Sequence, residues 1–576
     1  MGRLPWLTSR QDREHGVELN ERLRPRALSR PFVRRLTVPV PVPVAALALA
    51  LVSTLVLVPR SAHATGVTEF PDNGSEQMGR GGAWVARASD PLATFFNPAG
   101  LAGQDTRVTL QTNFSMHHTC FARVKAAGDT STEPLADANG NFPRVCNDIQ
   151  AAPNPQIAAA LRINDRVGIG FALIGPSAAG DSTWPDFVNG QAAPNRFLLA
   201  RRHGVVVFPS LGIGAEVIPG LRLGASFQWG IADLKLASAS VALNADGGNP
   251  TGDVRANLQI KDYFVPGFTF GAIYSPHERI DIGAWYRFSD AIRASGDVGT
   301  AANYYTPANA KGDSSRVIYG DTIFDDCGTG LPIKDCGKGK NASVLFPIPM
   351  EAKLGVRYHA PREGGQLRKG HRDPIADDVF DVEANLTWAN NSAIDNIEVR
   401  FPGDANGNGV LPVSGIPGGT LPQKADQRRA YRDVFGLRVG GDLNVLRDKL
   451  ALRGGAFFES HAQPAQFQNI DFAAANRLGL ALGATFRIRT GQEKDSGALD
   501  LMVGFLHVFV ADQVSTDPKA AGLPALAGTQ CNPSSGNQPG DTCAGGAQKY
   551  RTNYPVNLGT ITNTINAFNV GASYRF

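Results

Sequence analysis

The chain has 576 residues, 43% of them hydrophobic and 19% charged, with 64 Gly and only 5 Met. Helical membrane proteins need repeated apolar runs of about 20 residues; only residues 36–59 supply one, which excludes a bundle of spanning helices. The formal charge of +4 belongs to the first 64 residues, where ten Arg face four acids; the remainder is left near −2, and no electrostatic case for nucleic-acid binding survives.

The leader comes first. Arg34 and Arg35 precede an apolar run over residues 44–58, and Ala62-His63-Ala64 closes it. A positive region, an apolar core and a small-x-small site are the parts of a secretory signal peptide, so residues 1–64 are expected to be removed after Ala64. Residues 1–33 lengthen the positive region, and Pro39, Pro41 and Pro43 interrupt the start of the run. The alternative is an N-terminal anchor.

Residues 65–104 read as neither strand nor helix. They are dense in Gly, Ala and turn formers, yet carry Trp84, Val85, Leu92, Phe95 and Phe96. Disordered segments lack such residues, so the stretch is expected to pack as a plug.

From residue 105 onward the chain alternates. Leu221, Leu223, Ala225, Phe227, Trp229 and Ile231 are separated by Arg222, Gly224, Ser226, Gln228 and Gly230. Val382, Ala384, Leu386 and Trp388 alternate with Asp381, Glu383, Asn385 and Thr387, and residues 478–488 and 566–576 repeat the pattern. Successive strand side chains point to opposite faces. One face here is greasy, while the other carries charges that suit a water-filled lumen and are costly in lipid. Tight turns at residues 164–166, 218–220, 275–279 and 446–449 alternate with long polar stretches near 120–155, 300–342, 391–430 and 513–561. Short inner turns and long outer loops characterise outer-membrane barrels. Counting back from the C-terminus gives about fourteen strands over residues 105–576, an all-β transmembrane antiparallel barrel in the bacterial outer membrane. A secreted sandwich or propeller is the competing fold.

Six cysteines suit an oxidising compartment. They fall into three local couples, Cys120 with Cys146, Cys327 with Cys336, and Cys531 with Cys543, in the first, fourth and seventh outer loops. None has CxxC spacing, so no metal site is read from them. Asp137–Asn141 and Asp404–Gly409 look like pieces of calcium loops, weighed against ordinary Asx turns; each lacks a residue the full loop requires. His117-His118 reads as barrel rim. No cofactor is implied. The last strand ends on Phe576, with Tyr574 and Phe568 two and eight positions earlier, resembling the signal that barrel-assembly machinery reads.

The plug segment resembles the N-terminal hatch of the FadL family, outer-membrane transporters of long-chain fatty acids and hydrocarbons. The family's Asn-Pro-Ala matches Asn97-Pro98-Ala99, preceded by Gly79–Ala83 and Ala88–Pro91 and placed just before the first barrel strand. The resemblance implies that the hatch blocks the lumen and that an opening beside a kinked third strand releases substrate sideways into the membrane. The third strand is read as residues 167–175; Gly175-Pro176 is either its kink, since Pro interrupts a ladder and Gly weakens it, or simply its end. Phe95 and Phe96 are candidates for touching ligand or for packing the plug. One departure stands out: the third outer loop, near residues 242–252, is short for the family's outer ligand groove.

The chain is therefore expected to be a non-enzymatic, monomeric passive transporter. Its partners are a hydrophobic small molecule, outer-membrane lipids and the assembly machinery. An adhesin displaying stapled loops is the alternative. A hydrolase barrel is less favoured, because there is no GxSxG or HExxH motif.

Overall fold

The computed structural model describes residues 73–576 apart from residues 130–132, 150, 176–180, 241–249, 251–252, 302–303, 306–338, 364–372, 408, 412–419, 422, 472–473, 492–496, 518–529, 533–547 and 551–554. The expected leader lies outside the described residues, as do Pro176, Cys327, Cys336 and Cys543, and the side chain of Cys531.

Fourteen antiparallel strands form the wall. They are β1 (Arg107–Arg123), β2 (Ala152–Arg162), β3 (Val167–Ile174), β4 (Arg201–Ile218), β5 (Leu221–Ser240), β6 (Val254–His277) and β7 (Ile280–Ser289, continued by Ile292–Ala301). There follow β8 (Gly339–Phe346, continued by Glu351–Pro361), β9 (Asp378–Ala389, continued by Asn396–Arg400) and β10 (Gln427–Arg428, continued by Val434–Leu446). The last four are β11 (Leu450–Glu459), β12 (Arg477–Arg489), β13 (Ala498–Val510, continued by Gln513–Ser515) and β14 (Gly559–Arg575). β1 pairs with β14 along its whole length, from Arg107 opposite Arg575 to Arg123 opposite Gly559, and this closes the barrel. The fourteen-strand count and the all-β class read from the sequence hold. Among the described residues no helix is long and apolar enough to cross a membrane.

The alternation decides which face meets lipid. Leu478, Leu480, Leu482, Phe486 and Ile488 on β12 are exposed, while Arg477, Thr485 and Arg487 on its other face are buried toward the lumen. A two-residue period keeps this up only in a regular ladder. Where β6 carries a bulge, between Asp262 and Val265, the period slips. Above the slip Leu258 and Ile260 point inward; below it Thr269 and Ile273 do. The slip places the extra residues Tyr263 and Phe264 on the outer surface.

Turns follow local chemistry. At residues 218–220, Pro219 fixes φ at the first corner and Gly220 takes a φ of 85° at the second, the pair a tight turn of this hand requires. One inner turn departs from the expected shortness. Residues 362–377, between β8 and β9, contain the short helix α1 (Pro374–Asp377), capped by the Asp373 side chain accepting from the Ile375 N–H. Asp373 also pairs with Arg487 of β12 and with Arg575 of β14, at 2.8 Å for the latter, so this turn reaches inside the lower rim. At the outer end Cys120 and Cys146 are disulfide-bonded, tying the first outer loop to β1.

Candidate functional site

Residues 73–104 lie inside the barrel and are almost wholly buried. Short helices at Ser75–Gly79 and Ala93–Phe96 and a 3-10 turn at Pro98–Leu101 are joined by tight backbone. The Asn97 side chain organises the last of these. Its Oδ1 accepts the Ala99 N–H at 3.2 Å, the role of a helix cap. Its Nδ2 donates to the Val85 carbonyl at 2.7 Å and to the wall carbonyls of Ala272 and Ala284, both at 3.4 Å. Pro98 stands at the first helical position, where its missing N–H costs nothing.

The wall makes room for this turn with a row of glycines. Gly168, Gly214, Gly224 and Gly271 are register neighbours across β3, β4, β5 and β6. A Cβ on Gly224 would lie 2.4 Å from the Ala99 nitrogen, and one on Gly271 1.9 Å from Asn97 Oδ1. No side chain fits there. The sequence showed Gly224 among the small and polar residues of β5 but not that it shares one seat with glycines of β3, β4 and β6; the signal was glycine recurring at lumen-facing positions of neighbouring strands.

Two faces of the plug meet the wall differently. On one face, Arg80 pairs with Asp381 at 2.6 Å and Asp442 at 2.8 Å, and approaches Glu383 at 3.6 Å. Arg87 pairs with the same Asp381 at 2.5 Å and Asp442 at 3.0 Å. Glu383 accepts the backbone N–H groups of Ala86 and Arg87 at 2.8 and 3.1 Å. Arg357 of β8 joins Asp281, Asp378 and Asp381 into the same network. Within the plug, burial pushes the Glu76 carboxyl up, but Arg87, Arg453 and Arg107 outweigh it and hold it down to about 2. Asp90 lies in the same plug: burial, with the Glu76 charge nearby, outweighs the pull of Arg107 and pushes it up to about 7. Sequence reading placed Asp381 and Glu383 in the lumen but did not find their plug partners Arg80 and Arg87.

The other face is apolar. Leu92 and Phe95 pack with Ala158 of β2, Ala172 and Ile174 of β3, and Phe208 of β4, with Phe96, Val206 and Ile348 against them. Phe95 and Phe96 meet edge to face at 5.3 Å between centroids. Two wall cations lie over these rings: Arg287 is 4.9 Å from the Phe95 ring centre and 5.0 Å from that of Phe208. Lys353 lies 4.2 Å from the Trp285 ring centre and 5.8 Å from that of Phe96. The sequence-predicted pair thus sits in the plug's apolar face, within reach of positive charge.

Beside this cluster the described ladders of β3 come to an end. β3 pairs with β2 only from Ile157 downward and with β4 only up to Phe208, opposite Ile174. On the β4 side pairing resumes at Arg202, opposite Ser182. Among the described residues, no strand lies between residues 152–156 of β2 and residues 203–207 of β4. Five residues of strand span about 16 Å. Gly175 directly follows the last residue of β3 and is buried, whereas Pro176 lies outside the described residues.

The remaining sequence candidates lie elsewhere. Phe568 and Phe576 are exposed on the outside of β14 and at its end, and Tyr574 meets Phe576 edge to face at 4.9 Å. Asp137 Oδ1 accepts the N–H groups of Asn139 and Asn141 at 2.9 and 2.7 Å, and Asp404 Oδ1 that of Asn406 at 2.9 Å, which are Asx turns. His118, Cys120 and Cys146 come close together, but both sulfurs are engaged in the disulfide and so are not metal ligands.

Comparison with known proteins adds a family and a fold. The family model described as outer membrane protein transport protein (OMPP1/FadL/TodX) matches residues 56–532. A FadL homologue from Pseudomonas aeruginosa superposes with a TM-score of 0.58 at 18% identity, covering 90% of this chain and 100% of its own. The P. putida toluene transporter TodX superposes with a TM-score of 0.51 at 13% identity, covering 89% and 99%. No curated protein sequence matches.

Proposed function

The chain belongs to the outer membrane protein transport protein (OMPP1/FadL/TodX) family, and on that premise we propose that it carries long-chain fatty acids across the outer membrane, admitting them past the plug and releasing them sideways into the bilayer. The coarser part, a non-enzymatic outer-membrane transporter of hydrophobic compounds, follows from the family itself. What supports the finer part is the end of the described β3 ladders beside residues 203–207 of β4, backed on its inner side by Leu92, Phe95, Ile174 and Phe208. An acyl chain gains about 0.8 kcal/mol per buried CH₂ in such surroundings, so capture needs no energy source. Leaving through the wall keeps the chain out of water, and its next solvent is hydrocarbon.

Arg287 and Lys353 favour a substrate with a negative head over a neutral hydrocarbon. Arg287, which also donates to Gln228 Oε1 at 3.1 Å, and the half-buried Lys353 put positive charge beside these rings, and a carboxylate head complements it through charge-assisted hydrogen bonds that a neutral hydrocarbon cannot make. The reading takes the protein as a monomer, exported by its leader and inserted by the barrel-assembly machinery through its terminal strand.

The deciding experiment is uptake of labelled oleate by cells lacking their own transporter and expressing this protein, beside a variant with Asn97-Pro98-Ala99 replaced. Both are first shown to reach the outer membrane. Oleate uptake that changes in the variant supports the proposal. Uptake of toluene without oleate overturns the fatty-acid reading and leaves a hydrocarbon channel. No uptake of either, with correct assembly, turns attention to the stapled outer loops as an adhesive surface.

A further inference from the structure

We infer that Asn73, at the head of the plug, adds a second side-chain hydrogen bond, beside that of Asn154, where the backbone ladder has no donor at the end of β3, and so acts as a positioning residue for the rim of the lateral opening. The inference rests on the lateral-exit reading above.

The β2–β3 register runs from Arg162 opposite Gly168 to Ile157 opposite Leu173. Carried two residues further, it sets Pro155 opposite Gly175. Proline has no N–H to give, so a wall carbonyl at Gly175 has no ladder donor there, and a buried carbonyl without a donor is costly. Side chains take over. The Gly175 carbonyl accepts Asn154 Nδ2 at 2.9 Å and Asn73 Nδ2 at 3.2 Å. Asn73 is 1% exposed, and its Oδ1 accepts Asn154 Nδ2 at 3.1 Å and Gln156 Nε2 at 3.0 Å. The next residue follows suit: the Gly74 N–H donates to Gln156 Oε1 at 2.9 Å.

The consequence lies in who owns the donor. A ladder bond between two wall strands is present whatever the plug does. The bond from Asn73 exists only while the head of the plug is seated. Withdrawing that head takes one donor from Gly175 and both amide partners from Asn73 Oδ1, at the end of the described β3 ladders. Plug position and rim order are thereby linked through Asn73, and the missing N–H of Pro155 is what leaves the Gly175 carbonyl to side-chain donors.

The test uses the full-length protein and two readouts. Amide hydrogen exchange of the purified barrel in detergent follows residues 167–175, with β12 as an internal control; oleate uptake is measured in cells. Asn73→Asp keeps the acceptor and removes the donor. One net hydrogen bond corresponds to roughly a two- to tenfold change in an opening equilibrium, so exchange at residues 167–175 should rise by that factor while β12 stays unchanged. Pro155→Ala restores a wall donor; alone it should slow exchange there, and combined with Asn73→Asp it should return exchange to the wild-type rate. A merely space-filling Asn73 gives no such rescue. Unchanged exchange in Asn73→Asp, or failure of Pro155→Ala to rescue it, overturns the inference. If Asn73→Asp does not assemble, the slowed exchange of Pro155→Ala alone decides. Exchange that responds and is rescued while oleate uptake stays at the wild-type rate upholds the Asn73 link and overturns lateral exit instead.

Discussion

The two faces of the plug are held by opposite physics. Toward β8–β11 it is fixed by buried ion pairs, Arg80 and Arg87 against Asp381 and Asp442, with exposures of 0–1% on every side chain. Toward β2–β4 it offers Leu92, Phe95 and Phe96 to apolar neighbours beside the end of the described β3 ladders. Buried charge pairs are unforgiving, because removing one partner strands the other without water. Apolar contacts exchange partners at little cost, and an acyl chain can replace a leucine or a wall phenylalanine. On the proposed reading, the greasy face is the side that yields to substrate while the charged face stays held.

The sharpest way to break this comparison is Arg80→Ala. It leaves Asp381 and Asp442 with one cation fewer in a buried site, and a cost of about 3–5 kcal/mol is expected. Chemical unfolding in detergent, together with protease release of the plug, measures it; a loss below about 1 kcal/mol would mean that water reaches the network. Next comes Gly271→Val in the glycine row. Its Cβ would lie 1.9 Å from Asn97 Oδ1, and overpacking of this kind costs about 1–3 kcal/mol. Here the plug should be cleaved faster while the barrel's own midpoint stays put, since β6 itself is undisturbed.

A third test sharpens the comparison through pH. Asp90 is raised from 3.8 to about 7 by burial and by Glu76. A carboxyl whose folded pKa exceeds its unfolded one binds more protons in the folded state, so its contribution is full below the unfolded value and is lost as pH rises. Plug seating should therefore weaken between about pH 4 and pH 7, and Asp90→Asn should flatten that slope. Glu76, lowered to about 2, acts in the opposite sense, and its contribution fades as pH falls below 4.5. The smallest effect belongs to the rim. Arg162 pairs with Asp105 at 3.0 Å, but the two side chains are 38% and 42% exposed, and an exposed pair is worth about 0–1 kcal/mol. Arg162→Ala should leave plug release within error of wild type, a control that separates buried from surface charge.

Some of this was written in local pattern. The greasy stripe of β5, β9, β12 and β14, the turn at Pro219-Gly220 and the strand count need only a two-residue period and turn chemistry, and each is read over a few neighbours in the chain. Asn97-Pro98-Ala99 was visible only through its resemblance to the family motif; that Asn97 caps the turn that follows it emerged from the structure. The long inner turn at residues 362–377 was not legible, since its Asp373 is held by Arg487 and Arg575, more than a hundred residues away.

The sequence by itself determined that this chain is a barrel with a packed N-terminal segment, because alternation, turn residues and apolar content act locally and need no knowledge of the partner. Only the tertiary structure decided how that segment is held. Arg80 finds Asp381 and Asp442 across some three hundred residues, four glycines on separate strands become one seat only when register aligns them, and the described β3 ladders end at Ile157–Leu173 and Ile174–Phe208. Closure of the barrel brings these groups together; no spacing along the chain encodes their distance.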